Sequence, residues 1–424
     1  MKLTFHGGAN EVGRSCVELV SDNTTIFFDA GLKLSEKGTD YPVNFSNLDK
    51  VDAVLLSHAH LDHCGALPFL DHNGLKCPVF CTKTTKNLTR LLLKDAFKVG
   101  KILHTHLGYD KPDIYKALDF MKRIKLKEKE TIKDIEFEFL NAGHIPGSAS
   151  ILVKTNHPEY KTILYTGDVQ TSNTHLLNFA NIELDHVDIL ICETTYGDRN
   201  HPNRLSEEKR FISAIEDTIL RGGSAIVPVF AIGRAQEIIM LLSEHKFGVP
   251  IFIDGMAKSA TEIMLSDPNS VKNHSKLRDA YQSATKANYK SRESITHRRG
   301  IFVTTSGMLT GGAVMAYLRK KYKNKRDSIL LTGYQAEGTN GHLLLDTGHM
   351  YIEGHRKKVD CEVFQFDFSA HCGQSELKQL IRQLSPKKLI LVHGDPNALT
   401  NISEWARVKD IDVHVPDVGD IIKL

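Results

Sequence analysis

Four side chains able to hold a metal ion stand within six residues, His58-Ala59-His60-Leu61-Asp62-His63. They follow the apolar run AVLLS at 53–57, whose length and composition predict a buried strand. Imidazole and carboxylate suit zinc, and a catalytic zinc keeps one position open for water. A turn leaving a strand can aim His58 and His60 at one ion while Asp62 and His63 reach a second. This cluster constrains the fold, because one turn cannot complete two coordination shells. Other strands must bring the missing ligands to the same rim.

The first half of the chain holds suitable strands. Runs 25–29, 53–57, 151–153, 162–166 and 189–192 are short, rich in β-branched residues and bounded by polar ones. Several stop on residues of one kind: Asp29, Ser57 before the histidine run, Gly167-Asp168 and Glu193. A single Asp after a strand usually closes a turn or caps a helix. Repetition is what predicts a shared functional rim. His144, in the glycine-punctuated loop NAGHIPGS at 141–148, and Asp168, in YTGD at 165–168, are the ligands expected from other strand ends. Asp168 is the natural bridge, since two cations about 3.5–4 Å apart need an anion between them.

Composition narrows the setting. The chain has 424 residues, 41% hydrophobic and 25% charged, which suits two or three soluble domains. A net charge of +3 does not by itself indicate nucleic acid, although local basic patches can still do so. No apolar run approaches the roughly 20 residues of a membrane helix. The opening MKLTFHGGANEVGRS lacks the sustained apolar stretch of a secretory signal. Seven scattered cysteines with no CxxC pair argue against a disulfide framework or a four-cysteine zinc site. A cytoplasmic protein without membrane attachment is expected.

From Arg204 the texture changes. A helical pattern at 207–221 ends at Gly222-Gly223, followed by a strand at 224–229, a helix at 235–245 and a strand at 251–253. Further strands are expected at 301–305 and 329–332. Such alternation predicts a doubly wound α/β domain with a parallel sheet. Strand-rich texture returns at 359–366, then a helix at 375–383 and a strand at 389–392. The simplest division is one domain formed by 1–203 and 357–424, with 204–356 inserted into it.

Several segments together resemble a known family. GANEVGRSC at 8–16, FFDAG at 27–31, HAHLDHCGALP at 58–68, the His144 loop and TGD at 166–168 resemble the metallo-β-lactamase fold. CETTYGD at 192–198, FSAH at 368–371 and LVHGD at 391–395 resemble motifs A, B and C of the β-CASP nucleases. PVFAIGRAQE at 228–237, TTSGMLTGG at 304–312 and LLTGYQAEGT at 330–339 are similar as well. The likeness is greatest to the RNA-processing branch, which includes the nuclease subunit of the cleavage and polyadenylation factor and its archaeal and bacterial relatives. No N-terminal KH-type region is read in the chain.

The resemblance implies an α/β protein, a metallo-β-lactamase αβ/βα sandwich with an inserted β-CASP domain. It implies two Zn2+ per chain, His58, His60 and His144 on one and Asp62, His63 and His393 on the other, with Asp168 between them. His371 becomes the general acid, Glu193 its orienting partner, and Asp29 the group that orients a metal-bound histidine. His393 at motif C is the RNA-type residue, where DNA-processing relatives carry Val. The substrate implied is single-stranded RNA, cut internally, from a 5′ end, or both. Ser306, Gly307 and Arg234 are expected to bind its phosphates, Arg234 because a guanidinium fork matches phosphate oxygens. The basic run 318–326 and Arg298-Arg299 are candidate electrostatic guides, equally readable as solvated faces. A homodimer or a processing complex stays open.

Two other functions share parts of this pattern. A small-molecule metallohydrolase of the thioesterase or lactonase type uses the same histidine run, but needs neither the inserted domain nor the Glu193–His371–His393 set. An inactive RNA-binding paralogue would lack metal ligands, and every expected ligand is present.

Overall fold

In the strand Thr162–Tyr165, Ile163 and Tyr165 face one core while Leu164 faces another, and all three are buried. A strand buried on both faces needs a layer on each side. The computed structural model, which describes residues 1–35, 38–45 and 47–424, supplies both layers. It divides into two compact units. One comprises Met1–Asn173, Asn178–Asn200 and Ala370–Leu424; the other comprises Thr174–Leu177 and His201–Ser369.

The first unit is built on two seven-stranded sheets. One runs in the order Ile421–Lys423, Lys2–Gly7, Cys16–Val20, Thr25–Phe28, Ala53–Leu55, Val79–Cys81, Met121–Arg123. The other runs Asp412–His414, Lys388–Val392, Ile189–Glu193, Thr162–Tyr165, Ala149–Lys154, Ile135–Asn141, Lys129–Ile132. Their inner faces share a core in which Leu3, Phe5, Leu19 and Phe28 of one sheet meet Phe137, Ile151, Ile163 and Ile191 of the other. The alternate residues face helices. Phe27, Val54 and Leu56 pack with Leu67, Leu70 and Leu93, while Leu164, Leu190 and Leu391 pack with Leu377, Ile381 and Ile402. The result is a helix–sheet–sheet–helix sandwich, the arrangement that alternating apolar positions dictate.

The helix Gln374–Leu384 shows the same rule at a period of 3.6 residues. Leu377, Leu380, Ile381 and Leu384 lie on one face and are all buried, and Glu376 at N3 accepts the Gly373 N–H at 2.8 Å to close its first turn.

The second unit holds a six-stranded sheet in the order Thr285–Lys286, Ile251–Asp254, Ile301–Thr304, Ala225–Pro228, Ser328–Leu331, Glu362–Gln365. Every pairing in it is parallel, as the alternation of helix and strand predicts. The strand expected within 359–366 forms as Glu362–Gln365 and pairs with Ser328–Leu331, so it completes this sheet. Among the described residues no helix is long and apolar enough to cross a membrane.

Candidate metal centre

Strand termini in the first unit place the polar residues. Thr25–Phe28 ends just before Asp29, Ala53–Leu55 leads to Ser57 and the histidine turn, and Ile135–Asn141 leads to His144. Thr162–Tyr165 precedes Asp168, Ile189–Glu193 ends on Glu193, and Lys388–Val392 precedes His393. Tight backbone approach at the rim depends on glycine. A Cβ on Gly31 would lie 1.7 Å from the Asp62 carbonyl oxygen, and Gly167, at φ +54°, would drive one to 2.7 Å from the Ser57 Cβ. Asp29 and His393 adopt left-handed φ of 62° and 49° without being glycine. Such conformations persist only where the surroundings enforce them, and they concentrate at working sites.

Asp29, fully buried, shows what the strained backbone achieves. Its carboxylate accepts the Ser57 N–H, the Ser57 hydroxyl, the Tyr165 hydroxyl and His63 Nδ1–H, each at 2.7 Å. These bonds determine tautomers. With its proton donated to Asp29, Ser57 Oγ accepts from His58 Nδ1 at 3.0 Å, leaving the lone pair on His58 Nε2. His63 donates through Nδ1 and so presents Nε2. His144 Nδ1 donates to the Ala370 carbonyl at 2.7 Å and also presents Nε2.

Those nitrogens converge. His58, His60, His144 and Asp168 each place a ligand atom within 4.8 Å of the others. The same holds for His58, Asp62 and His63, and for His63, Asp168 and His393. Asp168 belongs to both ends: its Oδ2 lies 3.3 Å from His58 Nε2 and 3.5 Å from His144 Nε2, its Oδ1 3.3 Å from His63 Nε2 and from His393 Nδ1. His393 Nε2 lies 3.4 Å from Asp62 Oδ2. Yet His58 Nε2, His63 Nε2, His393 Nε2 and Asp168 Oδ1 are buried without a hydrogen-bond partner. Buried polar atoms are ordinarily paired. Orphaned lone pairs aimed inward from several elements are what a bound cation satisfies, and the donor set fits zinc.

The electrostatics agree. Burial and the neighbouring His58 press the His60 pKa down to about 3. Burial, reinforced by His63 at His58 and by His371 at His144, lowers those two as well, so these rings are held neutral, as ligands must be. At His63 burial opposes charge, but Asp168 and Asp29 outweigh it and raise the pKa. Asp168 is driven the other way: burial favours its neutral form, and the surrounding histidines hold its pKa well below the usual range.

Beside this cluster His371 Nδ1 donates to Glu193, 3.0 Å from Oε1 and 3.1 Å from Oε2. Glu193 is itself held by the N–H groups of Val169 at 2.8 Å and Thr195 at 3.3 Å. Burial disfavours the His371 imidazolium, but Glu193 and Asp168 prevail and its pKa rises to about 9.

The structure adds supports that the motifs do not name. The Gln170 side chain, 5% exposed, donates to the His371 carbonyl at 2.8 Å. Thr195 Oγ1 lies 3.2 Å from His393 Nδ1, and the Tyr165 hydroxyl holds Asp29. Each stands within two residues of a named position or inside its motif, the one sequence signal that marks them. Ser306, Gly307 and Arg234 lie in the second unit. Ser306 Oγ accepts the Thr310 N–H at 3.2 Å, and the Arg234 guanidinium sits 5.9 Å from the Phe368 ring centre. Some of the candidate guides are already engaged there: Lys321 of the basic run is buried against Ser224, and Arg299 of the arginine pair donates to the Ile219 carbonyl at 2.7 Å.

Comparison with known proteins matches residues 19–192 to a metallo-beta-lactamase superfamily domain and 235–344 to a Beta-Casp domain. Residues 356–416 match the Zn-dependent metallo-hydrolase RNA specificity domain. The chain is 39% identical to Probable RNase MJ4 of Methanocaldococcus jannaschii, over all of both chains. It is 32% identical to RNase aCSPSF2 of Saccharolobus solfataricus, over all of this chain and 85% of that protein. Against cleavage and polyadenylation specificity factor subunit 3 of Dictyostelium discoideum identity is 30%, over 98% of this chain and 56% of that one. A crystal structure of a protein of unknown function from Enterococcus faecalis shares the fold, with TM-score 0.63 at 15% identity over 100% of this chain and 99% of that one.

Proposed function

This chain belongs to the β-CASP family of metallo-β-lactamase-fold hydrolases, and from that premise we propose that it is a two-zinc ribonuclease hydrolysing phosphodiester bonds of single-stranded RNA. The single observation that carries the reading is the meeting of orphaned ligand atoms beside a histidine clamped by a buried carboxylate. The match of 356–416 to an RNA specificity domain and the likeness to proteins named as RNases support RNA as substrate. His58, His60 and His144 hold one zinc, Asp62, His63 and His393 the other, and Asp168 serves both. Bound zinc supplies positive charge for the phosphoryl oxygens and a water acidic enough to attack near neutral pH.

The chain's own residues do the rest. Glu193 fixes the Nδ1–H of His371, so Nε2 carries the proton delivered to the departing ribose oxygen. The Glu193 carboxylate also raises the pKa of that ring, favouring the protonated state a general acid requires. Asp29 holds His63 and, through Ser57, His58 in the tautomers that face inward. Ser306, Gly307 and Arg234 engage RNA phosphates. The same reading sets the chain in the cytoplasm and leaves a homodimer or processing-complex partner to be found. End-labelled single-stranded RNAs with different 5′ groups test it: zinc-loaded protein yields either internal fragments or early 5′ mononucleotide. His371→Ala is expected to slow cleavage by about 10²–10⁴-fold; a variant as fast as wild type sinks the proposal.

A further inference from the structure

Phe230 is out of place for a phenylalanine. In the same unit Phe211, Phe252, Phe302, Phe366 and Phe368 are at most 1% exposed and Phe247 and Phe364 are half-buried, whereas Phe230 is 38% exposed. It follows the strand Ala225–Pro228, which lies between Ile301–Thr304 and Ser328–Leu331 in a parallel sheet. The three strands therefore end on the same edge, the edge where open α/β sheets take ligands. They deliver Phe230, Ser306-Gly307 and Gly333-Tyr334 respectively.

The ring has a rigid seat. A Cβ built on Gly307 would lie 3.4 Å from Phe230 Cδ2 and 3.1 Å from its backbone nitrogen, and one on Gly333 would lie 3.4 Å from Cε2. One edge of the ring thus rests on two glycine backbones, with no side chain beside it from either. Gln335, 4% exposed, donates to the carbonyls of Gly307 at 3.2 Å and Gly333 at 3.1 Å, which sets the spacing of both loops. A ring seated on bare glycine backbone, with Tyr334 (49% exposed) the other aromatic delivered to this edge, is not the broad apolar patch that a protein partner buries. It suits a flat, polar-edged ligand that stacks.

We propose that Phe230 is a stacking platform for one nucleobase of single-stranded RNA, with the adjoining Ser306-Gly307 turn against that nucleotide's phosphate. The proposal rests on the ribonuclease reading. A phenyl face accepts any base, so the platform contributes affinity without sequence preference.

Binding to a series of short RNAs, each with one abasic nucleotide at a successive position, tests this. The full chain carries His371→Ala so that bound RNA stays intact, and Kd is read by fluorescence anisotropy. Phe230→Ala is expected to weaken binding of the fully based RNA about tenfold. One abasic position should erase that difference, while Phe230→Trp binds at least as tightly as the parent. Phe230→Leu, which keeps the apolar contact with the glycines, should behave like Phe230→Ala. The proposal is overturned if Leu restores parental binding, if Ala costs nothing, or if Ala costs the same at every abasic position. Failure of the ribonuclease reading looks different: wild type then cuts no RNA, whatever the Phe230 variants bind.

Discussion

Asp168 in the first unit and Asp254 in the second are both buried, at 2% and 1% exposure, and both follow or end a strand beside a glycine. Their surroundings are opposite. Asp254 has every lone pair engaged: Arg292 donates to Oδ2 at 2.7 Å and to Oδ1 at 3.2 Å, Tyr317 to Oδ2 at 2.9 Å, and the Gly255 N–H to Oδ1 at 2.7 Å. Asp168 is ringed by histidine nitrogens at 3.3–3.5 Å, and its Oδ1 lacks a hydrogen bond. A buried charge with its own cation and donors is complete and serves the fold. One surrounded by groups that also need a partner is incomplete without a further ion. Burial alone does not distinguish a structural carboxylate from a working one; satisfaction does.

The sharpest way to break this contrast is to remove each carboxylate in turn. Asp168→Ala is expected to lower bound zinc from two equivalents to one or none and reduce RNA cleavage to background, read by metal analysis and labelled RNA. Asp254→Asn should keep both zinc equivalents and the wild-type kcat. Zinc retained in full by the first variant, or lost from the second, would erase the distinction. One step out from the ligands, Asp29→Ala frees His63 and Ser57 from the three bonds that orient them, and Tyr165 from a fourth. Zinc affinity or kcat is expected to fall about 10–100-fold, the usual cost of losing a group that orients a metal ligand.

For the second unit the expected loss is stability. Asp254→Asn leaves the Arg292 guanidinium, 22% exposed, without its counter-charge. The destabilisation should be about 3 kcal/mol, at the low end for broken buried pairs because Arg292 keeps some water. A lowered urea midpoint with unchanged slope, followed by circular dichroism, is the expected signature. An unchanged midpoint would show that Arg292 and Tyr317 find other partners.

How much of this contrast was legible beforehand differs between the two units. Candidate ligand types at strand ends were readable because metal chemistry favours His, Cys, Asp and Glu, and short β-branched runs limit where strands stop. The parallel sheet was readable from alternating periods. What the chain alone could not reveal is which strand-end carboxylate is satisfied. YTGD at 165–168 and IDG at 253–255 look alike, and the arginine that completes Asp254 comes from position 292, in the helix Arg292–Thr296. Gln170, Thr195 and the exposed ring of Phe230 escaped for the same reason, since their roles depend on what distant segments place beside them. Which sheet the run 359–366 joins was not legible either, because a short strand's period says nothing about its partners; it pairs with Ser328–Leu331.

The smallest expected effect is a pH dependence confined to the satisfied carboxylate. Burial favours the neutral form of Asp254, but the hydrogen bonds from Arg292, Gly255 and Tyr317 outweigh it and lower its pKa from the ordinary value. A depressed folded-state pKa means that the unfolded chain binds the proton first as pH falls. The stabilisation is therefore complete above the unfolded value, about 3.9, and drains away as pH drops through the lower folded one. Wild type and Asp254→Asn should differ fully at pH 7 and converge on acidification below about pH 4. Parallel urea titrations of the two proteins from neutral to acidic pH measure the gap. A gap that stays constant down to the acid limit would mean that Asp254 acts through packing rather than charge, and its contrast with Asp168 would then be one of shape alone.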